Sequence, residues 1–410
     1  MKNIFGIIIL FGFLQIGFIG SYGAVDRIAF QYIILVFLNV FSFIYFIIIP
    51  NRFNIKSELY KNKPLFVYFI LFIWSSLSIL YAINRTESII SVIRLLIILL
   101  SAINISLLIK QINNVKSILF ILAPILLIEV FFPFNIFMDY VSTNNGFDFS
   151  KSGYLKTFTP NKNITAAITA CHLCIIFLFD HYFKKGRILY IILTIISTIN
   201  IVMLSSRAAI LGISLSFLLI YFLIWLSGVK FYKEITIYFL SFVFGLIVSN
   251  IYLGADNSAS LNNRLTSINT DDTSTNERLA YYGHGIKHFL NNPIKGIGLG
   301  NWNLKAIEYN SLNMRSYVVP YHMHNDFLQY AAELGIIGVV LYGFIFLKIL
   351  LINFKRMKVN FFMSITLIMI ASILFIDSNL NFPHHRPIMM ILFSLLIGLT
   401  HLNKSSQIER

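Results

Sequence analysis

The stretch YHMHNDFLQYAAELGIIG, residues 321–338, sets His322, His324, Asn325 and Asp326 directly before an apolar helical pattern carrying one acid, Glu333. An imidazole takes and returns a proton near neutral pH. His324, just ahead of the run that begins at Phe327, is therefore a candidate general base; the alternative is an ordinary histidine at a membrane surface. Asn325 and Asp326 occupy capping positions, and Asp326 is expected to cap or charge the helix start. Two arginines are placed as unusually. Arg207, in SSRAA at 205–209, is held between two apolar runs with almost no loop, where a cation without a partner is costly. It either reaches lipid phosphate at the surface or clamps an anion. Arg278, in NERL at 276–279, follows a candidate N-cap, Asn276, and falls in a first helical turn, where its charge opposes the helix dipole. That placement calls for a partner, either an acid elsewhere in the fold or an anionic ligand.

Two guanidiniums and one histidine suit a diphosphate, because planar forks match phosphate oxygens and stabilise charge on a leaving group. At a membrane surface a diphosphate is most simply the head group of a lipid carrier, and the histidine would deprotonate an incoming hydroxyl. Together these residues describe transfer of a group from a lipid diphosphate to an alcohol. Other constellations carry less. His322 and His324 with His384 and His385 of FPHHRP would make a zinc set, but no acid or cysteine accompanies them at ligand spacing, so no metal is expected. GIGLG at 296–300 follows a helix and a proline turn rather than a strand and lacks a P-loop lysine, so no nucleotide is expected and the glycines permit a close backbone turn. Cys171 and Cys174 read as small apolar packing. Glu333 lies too deep for water and reads as a structural acid, neutral or paired with a base such as Arg94, which is isolated in the fourth apolar run. Gly335 and Gly338 stand at small-residue spacing for close helix packing.

The elements that must position these groups are membrane helices. Of 410 residues 57% are hydrophobic and only 12% charged, against about 25% charged in soluble domains. Runs near 4–20, 28–49, 65–83, 88–109, 117–132, 164–180, 188–204, 208–226, 235–253, 327–352, 360–376 and 387–402 are each close to bilayer length. The expectation is an all-α polytopic membrane protein of about twelve transmembrane helices, one domain over 1–410, with a large loop at 254–326 and a smaller one at 133–163. Within the large loop Leu279, Tyr282, Ile286 and Phe289 recur at helical spacing, so an amphipathic helix is expected there, ended by Asn291-Asn292-Pro293. A retained first helix is expected after Lys2, although GSYGA at 20–24 has the small residues of a cleavage site.

Lysine and arginine crowd alternate loops, among them Arg52 to Lys63, Lys110 and Lys116, Lys184 to Arg187, Lys230 and Lys233, and Lys355 to Lys358. The charge asymmetry puts both termini in the cytoplasm and both long loops outside. The net charge of +15 is then a topology signal, and its dispersal over separate loops excludes a nucleic-acid face. Charges collect at the outer surface rather than the midplane, and no discontinuous helix pair is visible, which disfavours a transporter.

In order, SSRAAILG at 205–212, NERLAYYGHGIKHFLNNPIKGIGLGNW at 276–302 and HNDFLQYAAELGIIG at 324–338 resemble the O-antigen ligase and polymerase superfamily of bacterial membrane glycosyltransferases. The similarity is strong over roughly 200–345 and confined to helix count and hydropathy before that. It implies a helical bundle like that of C-type glycosyltransferases with one large periplasmic loop, and inverting, metal-independent transfer from an undecaprenyl diphosphate-linked glycan in the bacterial inner membrane. By the resemblance, Arg207 and Arg278 hold the diphosphate and His324 is the base for the acceptor hydroxyl. His322 lies outside the pattern, and Lys151, Lys156 and Lys162 take no role from it. Ligation to lipid A core is the leading expectation. Extension of another lipid-linked chain by a polymerase, or transfer to protein, uses the same donor. A polysaccharide transporter is the reading from a different class.

Overall fold

In a bilayer no water satisfies a bare peptide group, so long apolar runs close their own hydrogen bonds as helices. In the computed structural model the described residues are 2–20, 26, 28–48, 55–144, 159, 161–184, 186–230, 232–253, 273–310 and 321–405. They form α1 Lys2–Leu14, α2 Ala29–Ile48, α3 Ile55–Lys61, α4 Lys63–Leu77, α5 Arg85–Ile112, α6 Val115–Asn144, α7 Lys162–Phe183 and α8 Arg187–Met203. Then follow α9 Arg207–Ser227, α10 Tyr232–Leu253, α11 Thr273–Asn291, α12 Trp302–Asn310, α13 Asp326–Arg356, α14 Phe361–Leu380 and α15 Pro387–Ser405. Among the described residues nine helices are long and apolar enough to cross a membrane, and none is a strand. Three shorter apolar helices, Ile4–Phe18, Arg187–Met203 and Pro387–Asn403, coincide with the remaining expected runs. The chain is an all-α multi-pass membrane protein.

α7 lies at the centre, with 94% of its apolar window buried, whereas α2 and α10 bury only 33% and turn broad Phe- and Ile-rich faces outward to lipid. α14 packs between α7, α9 and α13. A short turn at 357–360 joins α13 to α14, so the start of α13 and the end of α14 lie at one end of the bundle. The expected small loop begins later than position 133, because α6 continues through Pro124 and Pro133 to Asn144. Most of that loop, including Lys151 and Lys156, lies outside the described residues, as do 254–272 and 311–320.

The main departure from expectation is in α13. Gly335 has φ 69° and ψ −165°, which breaks the helix, a conformation open essentially to glycine alone. The segment after α11 inserts at this break. The Ile336 amide donates to the Pro293 carbonyl (2.8 Å), while Ile297 and Gly298 donate to the carbonyls of Ala332 (3.2 Å) and Glu333 (2.9 Å). Trp74 of α4 donates its indole N–H to the Leu334 carbonyl (3.0 Å). The backbone groups freed by the break are thus satisfied within the protein, which membrane depth requires. Gly335 is a chain break filled by a distant loop rather than a smooth helix-packing contact.

Candidate functional site

The site is built from the two ends joined by the α13–α14 hairpin. Asn325 is the N-cap of α13, its side chain accepting from the Leu328 amide (3.0 Å). Asp326 is correspondingly the first helical residue and not the cap. Its buried Oδ2 instead accepts from the His384 amide (3.0 Å) and the Tyr342 hydroxyl (3.4 Å), tying the 3-10 turn Pro383–His385 to the start of α13. Just ahead, His324 has φ 57°, a left-handed conformation that costs a non-glycine residue on the order of 1–3 kcal/mol and concentrates at functional positions.

α11 holds that conformation in place. Tyr282 donates its hydroxyl to the His324 carbonyl (3.0 Å) and also lies 3.2 Å from the Asn379 carbonyl. α11 begins at Thr273, so Asn276 is inside the helix rather than its cap and Arg278 is past the first turn. Arg278 donates to the Leu380 carbonyl (3.3 Å) at the C-terminal end of α14, where a cation complements the helix dipole. That carbonyl end is a partner the sequence did not suggest.

His324 is half-buried, its edge against the Phe382 ring (centroids 4.8 Å). Burial, then the charges of Arg278 and Arg386, push its pKa down to about 4. It is neutral near pH 7, and among the described residues its Nδ1 has no hydrogen-bond partner. Arg386, whose guanidinium lies 4.6 Å from the Phe382 ring centroid, is the site residue that sequence reasoning missed. Its signal was available, an isolated arginine between two apolar runs, as at Arg207.

Arg207 opens α9 and is exposed. Gly212 packs on Ile373 of α14, and further along Phe217 meets Phe177 of α7 (6.1 Å). α7 itself starts beside the His324 cavity through Asn161 and Asn163. α9 therefore runs the same way as α7, which brings Arg207 to the His324 end of the bundle. The guanidiniums whose charges act on His324 are nonetheless those of Arg278 and Arg386.

Glu333 and Arg94 do not bond each other. Glu333 is buried and accepts from the amides of Gly300 (2.9 Å) and Trp302 (3.1 Å) and from the Gln329 amide side chain (3.2 Å). Arg94 pairs with Asp26 at 2.5 Å. The reason is positional: the loop held at the α13 break places its own N–H groups around Glu333. The GIGLG glycines fit this tight docking, since Gly296, Gly298 and Gly300 all have positive φ and a Cβ at each would meet Glu333, Ala82 or Ser91. Of the amides that suggested a phosphate loop, that of Gly300 already faces the Glu333 carboxylate, and those of Ile297, Gly298 and Leu299 donate to the Ala332 carbonyl, the Glu333 carbonyl and the Ser78 hydroxyl.

The four histidines do not gather as a metal centre. Among the described residues no group of three or more His, Cys, Asp or Glu side chains could hold one. His322 instead stacks between Phe382 (4.4 Å) and His385 (4.3 Å), and the His384 ring meets the Tyr330 hydroxyl. Cys171 and Cys174 are free and buried, as packing residues.

Comparison with curated proteins returns no match. A family model described as O-antigen ligase matches residues 192–343, the segment that contains Arg207, Arg278, His324 and Glu333. Over that segment the chain is similar to the O-antigen ligase family.

Proposed function

We propose that the protein is an O-antigen ligase-like glycosyltransferase that moves a polysaccharide from undecaprenyl diphosphate to lipid A core. The transfer takes place at the periplasmic face of the bacterial inner membrane, inverts the anomeric centre and needs no metal, nucleotide or other cofactor. The single observation that carries this reading is the neutral His324 imidazole held beside Arg278 at the mouth of the bundle. A neutral imidazole accepts a proton and adjacent guanidiniums hold a diphosphate. In this account His324 takes the proton of the acceptor hydroxyl as its oxygen attacks the anomeric carbon. The bond from that carbon to the diphosphate oxygen breaks with its electron pair on the diphosphate, which Arg278 and Arg207 stabilise as it leaves. Asn325 and Asp326 hold the α13 start that presents His324. The loop charge asymmetry supports cytoplasmic termini and an outward-facing site.

Donor binding would also tune the base. Arg278 and Arg386 add to the burial that depresses the His324 pKa, and an anion placed beside them offsets their repulsion and makes the imidazole a stronger base. Extension of another lipid-linked glycan by a polymerase, or transfer to protein, differs only in the acceptor. A transporter remains the reading from a different class, and the break in α13 resembles the discontinuous helices of transporters. Here, however, the freed backbone groups bond to the chain's own loop. Purified protein in liposomes with lipid-linked donor and lipid A core separates these readings. Covalent product without ATP or divalent metal supports transfer, and lipid translocation alone overturns it.

A further inference from the structure

Beside His324, and separated from it by the Phe382 ring, lies a larger cavity of about 520 Å³ that the transfer chemistry does not use. Its wall follows one face of α5 through Glu87, Ser91, Arg94, Leu95 and Ile98, a spacing that descends roughly 16 Å along the helix. The lining is polar at the top and closes on apolar side chains below. Two arginines, Arg94 and Arg386, face three acids, Asp26, Glu87 and Glu333. Arg94 is already paired with Asp26, and the Glu333 carboxylate is filled by amides. His322 and His385, both lowered in pKa mainly by burial, add neutral rings. The well therefore holds no surplus of positive charge for an anion.

It does hold unused neutral hydrogen-bonding groups. Tyr68 lines the well and is only 1% exposed, and its buried hydroxyl has no partner among the described residues. The buried Nδ1 of His322 has none either. Tyr321, 63% exposed, offers a ring at the rim. Planar polar groups against vicinal hydroxyls, with aromatic faces against the C–H side of a ring, are what a sugar requires. The volume lies within the range of about 300–1,000 Å³ usual for ligand sites. Arg386 lines both this well and the small cavity at His324, so a chain seated here would emerge at the base.

We propose that the well is a binding chamber for an uncharged saccharide, one to two sugar rings of either the acceptor or the donor glycan. The assignment of those two sources rests on the transferase reading above; the recognition chemistry does not.

The test uses the full chain in detergent and, as probe, the oligosaccharide released by mild acid from the strain's own surface polysaccharide, with binding followed by saturation-transfer NMR and titration. Tyr68→Phe removes a hydroxyl that bonds nothing among the described residues, and Tyr321→Ala alters an exposed ring, so neither endangers folding. Each is expected to raise the Kd on the order of fivefold. Steady-state kinetics then names the source: a raised KM for acceptor assigns the well to the acceptor, and a raised KM for donor assigns it to the donor glycan. Unchanged Kd and KM in both variants overturn the chamber while leaving the transferase reading intact. Saccharide binding sensitive to both variants, in a protein that transfers nothing, supports the chamber and sinks the transferase reading.

Discussion

Tyr282 and His324 are joined by a hydrogen bond of 3.0 Å from the phenol to the backbone carbonyl, so the helix that carries Arg278 also fixes the left-handed turn that presents the imidazole. The proposed base and one proposed diphosphate ligand are thus mechanically one unit. Tyr282→Phe should cost about 1 kcal/mol of stability and lower kcat by several-fold with little change in acceptor KM. Thermal unfolding and steady-state kinetics on the same preparation check both. An unchanged kcat would mean that the turn holds itself.

Arg278 also acts through charge. Because it lowers the His324 pKa, Arg278→Gln should move the acid limb of kcat/KM to higher pH while reducing donor use on the order of a hundredfold. Arg278→Lys keeps the charge, so its limb should stay in place, yet it loses the planar fork and should still use donor poorly. Equal donor kinetics in wild type and the lysine variant would contradict a bidentate clamp.

Stability should fall with acid in a defined window. His322, His324 and His384 have folded pKa values lowered to about 3, 4 and 3, chiefly by burial, against 6.5 when unfolded. Below 6.5 the unfolded chain binds protons that the folded chain refuses, so stability present above that pH is lost progressively down to about pH 3. Each ring should therefore contribute a loss of melting temperature between pH 7 and 4, which a variant lacking that ring isolates. His384→Phe, which also loses the Tyr330 contact, should flatten the slope while lowering the plateau. An equal slope in wild type and His384→Phe would show that this ring is solvated.

The α13 break makes a sharper structural prediction. Gly335→Ala places a Cβ against the Ile294 carbonyl and forces alanine into a glycine-only conformation. The backbone alone costs about 1–3 kcal/mol, and the collision adds to it. Expression with a monodisperse elution profile should be lost. Gly343→Ala, with only ordinary contact to Phe327 (3.6 Å), should be tolerated. Normal folding of both would argue that the loop does not dock at the break.

Hydropathy alone was enough to read the helical membrane architecture, because each run must satisfy its own backbone in lipid. The order of the Arg207, Arg278 and His324 motifs was equally visible. The missing parts all depend on contacts distant in sequence. Whether Asn325 or Asp326 caps α13 is decided by a turn 58 residues away that claims the Asp326 carboxylate. The partner of Glu333 is a loop whose docking requires Gly335 to break a helix that reads as continuous. Arg386 became a site residue only when the end of α14 met the start of α13. No local periodicity encodes such encounters.

His324 is the proposed base of a glycan transfer. The decisive measurement is the rate of glycan transfer from undecaprenyl diphosphate donor to lipid A core by wild type and His324→Ala, each purified and reconstituted in liposomes. Wild type should give product, and the variant should transfer at least a thousandfold more slowly (~4 kcal/mol in the barrier) with unchanged donor binding. Transfer by His324→Ala at the wild-type rate would contradict that role.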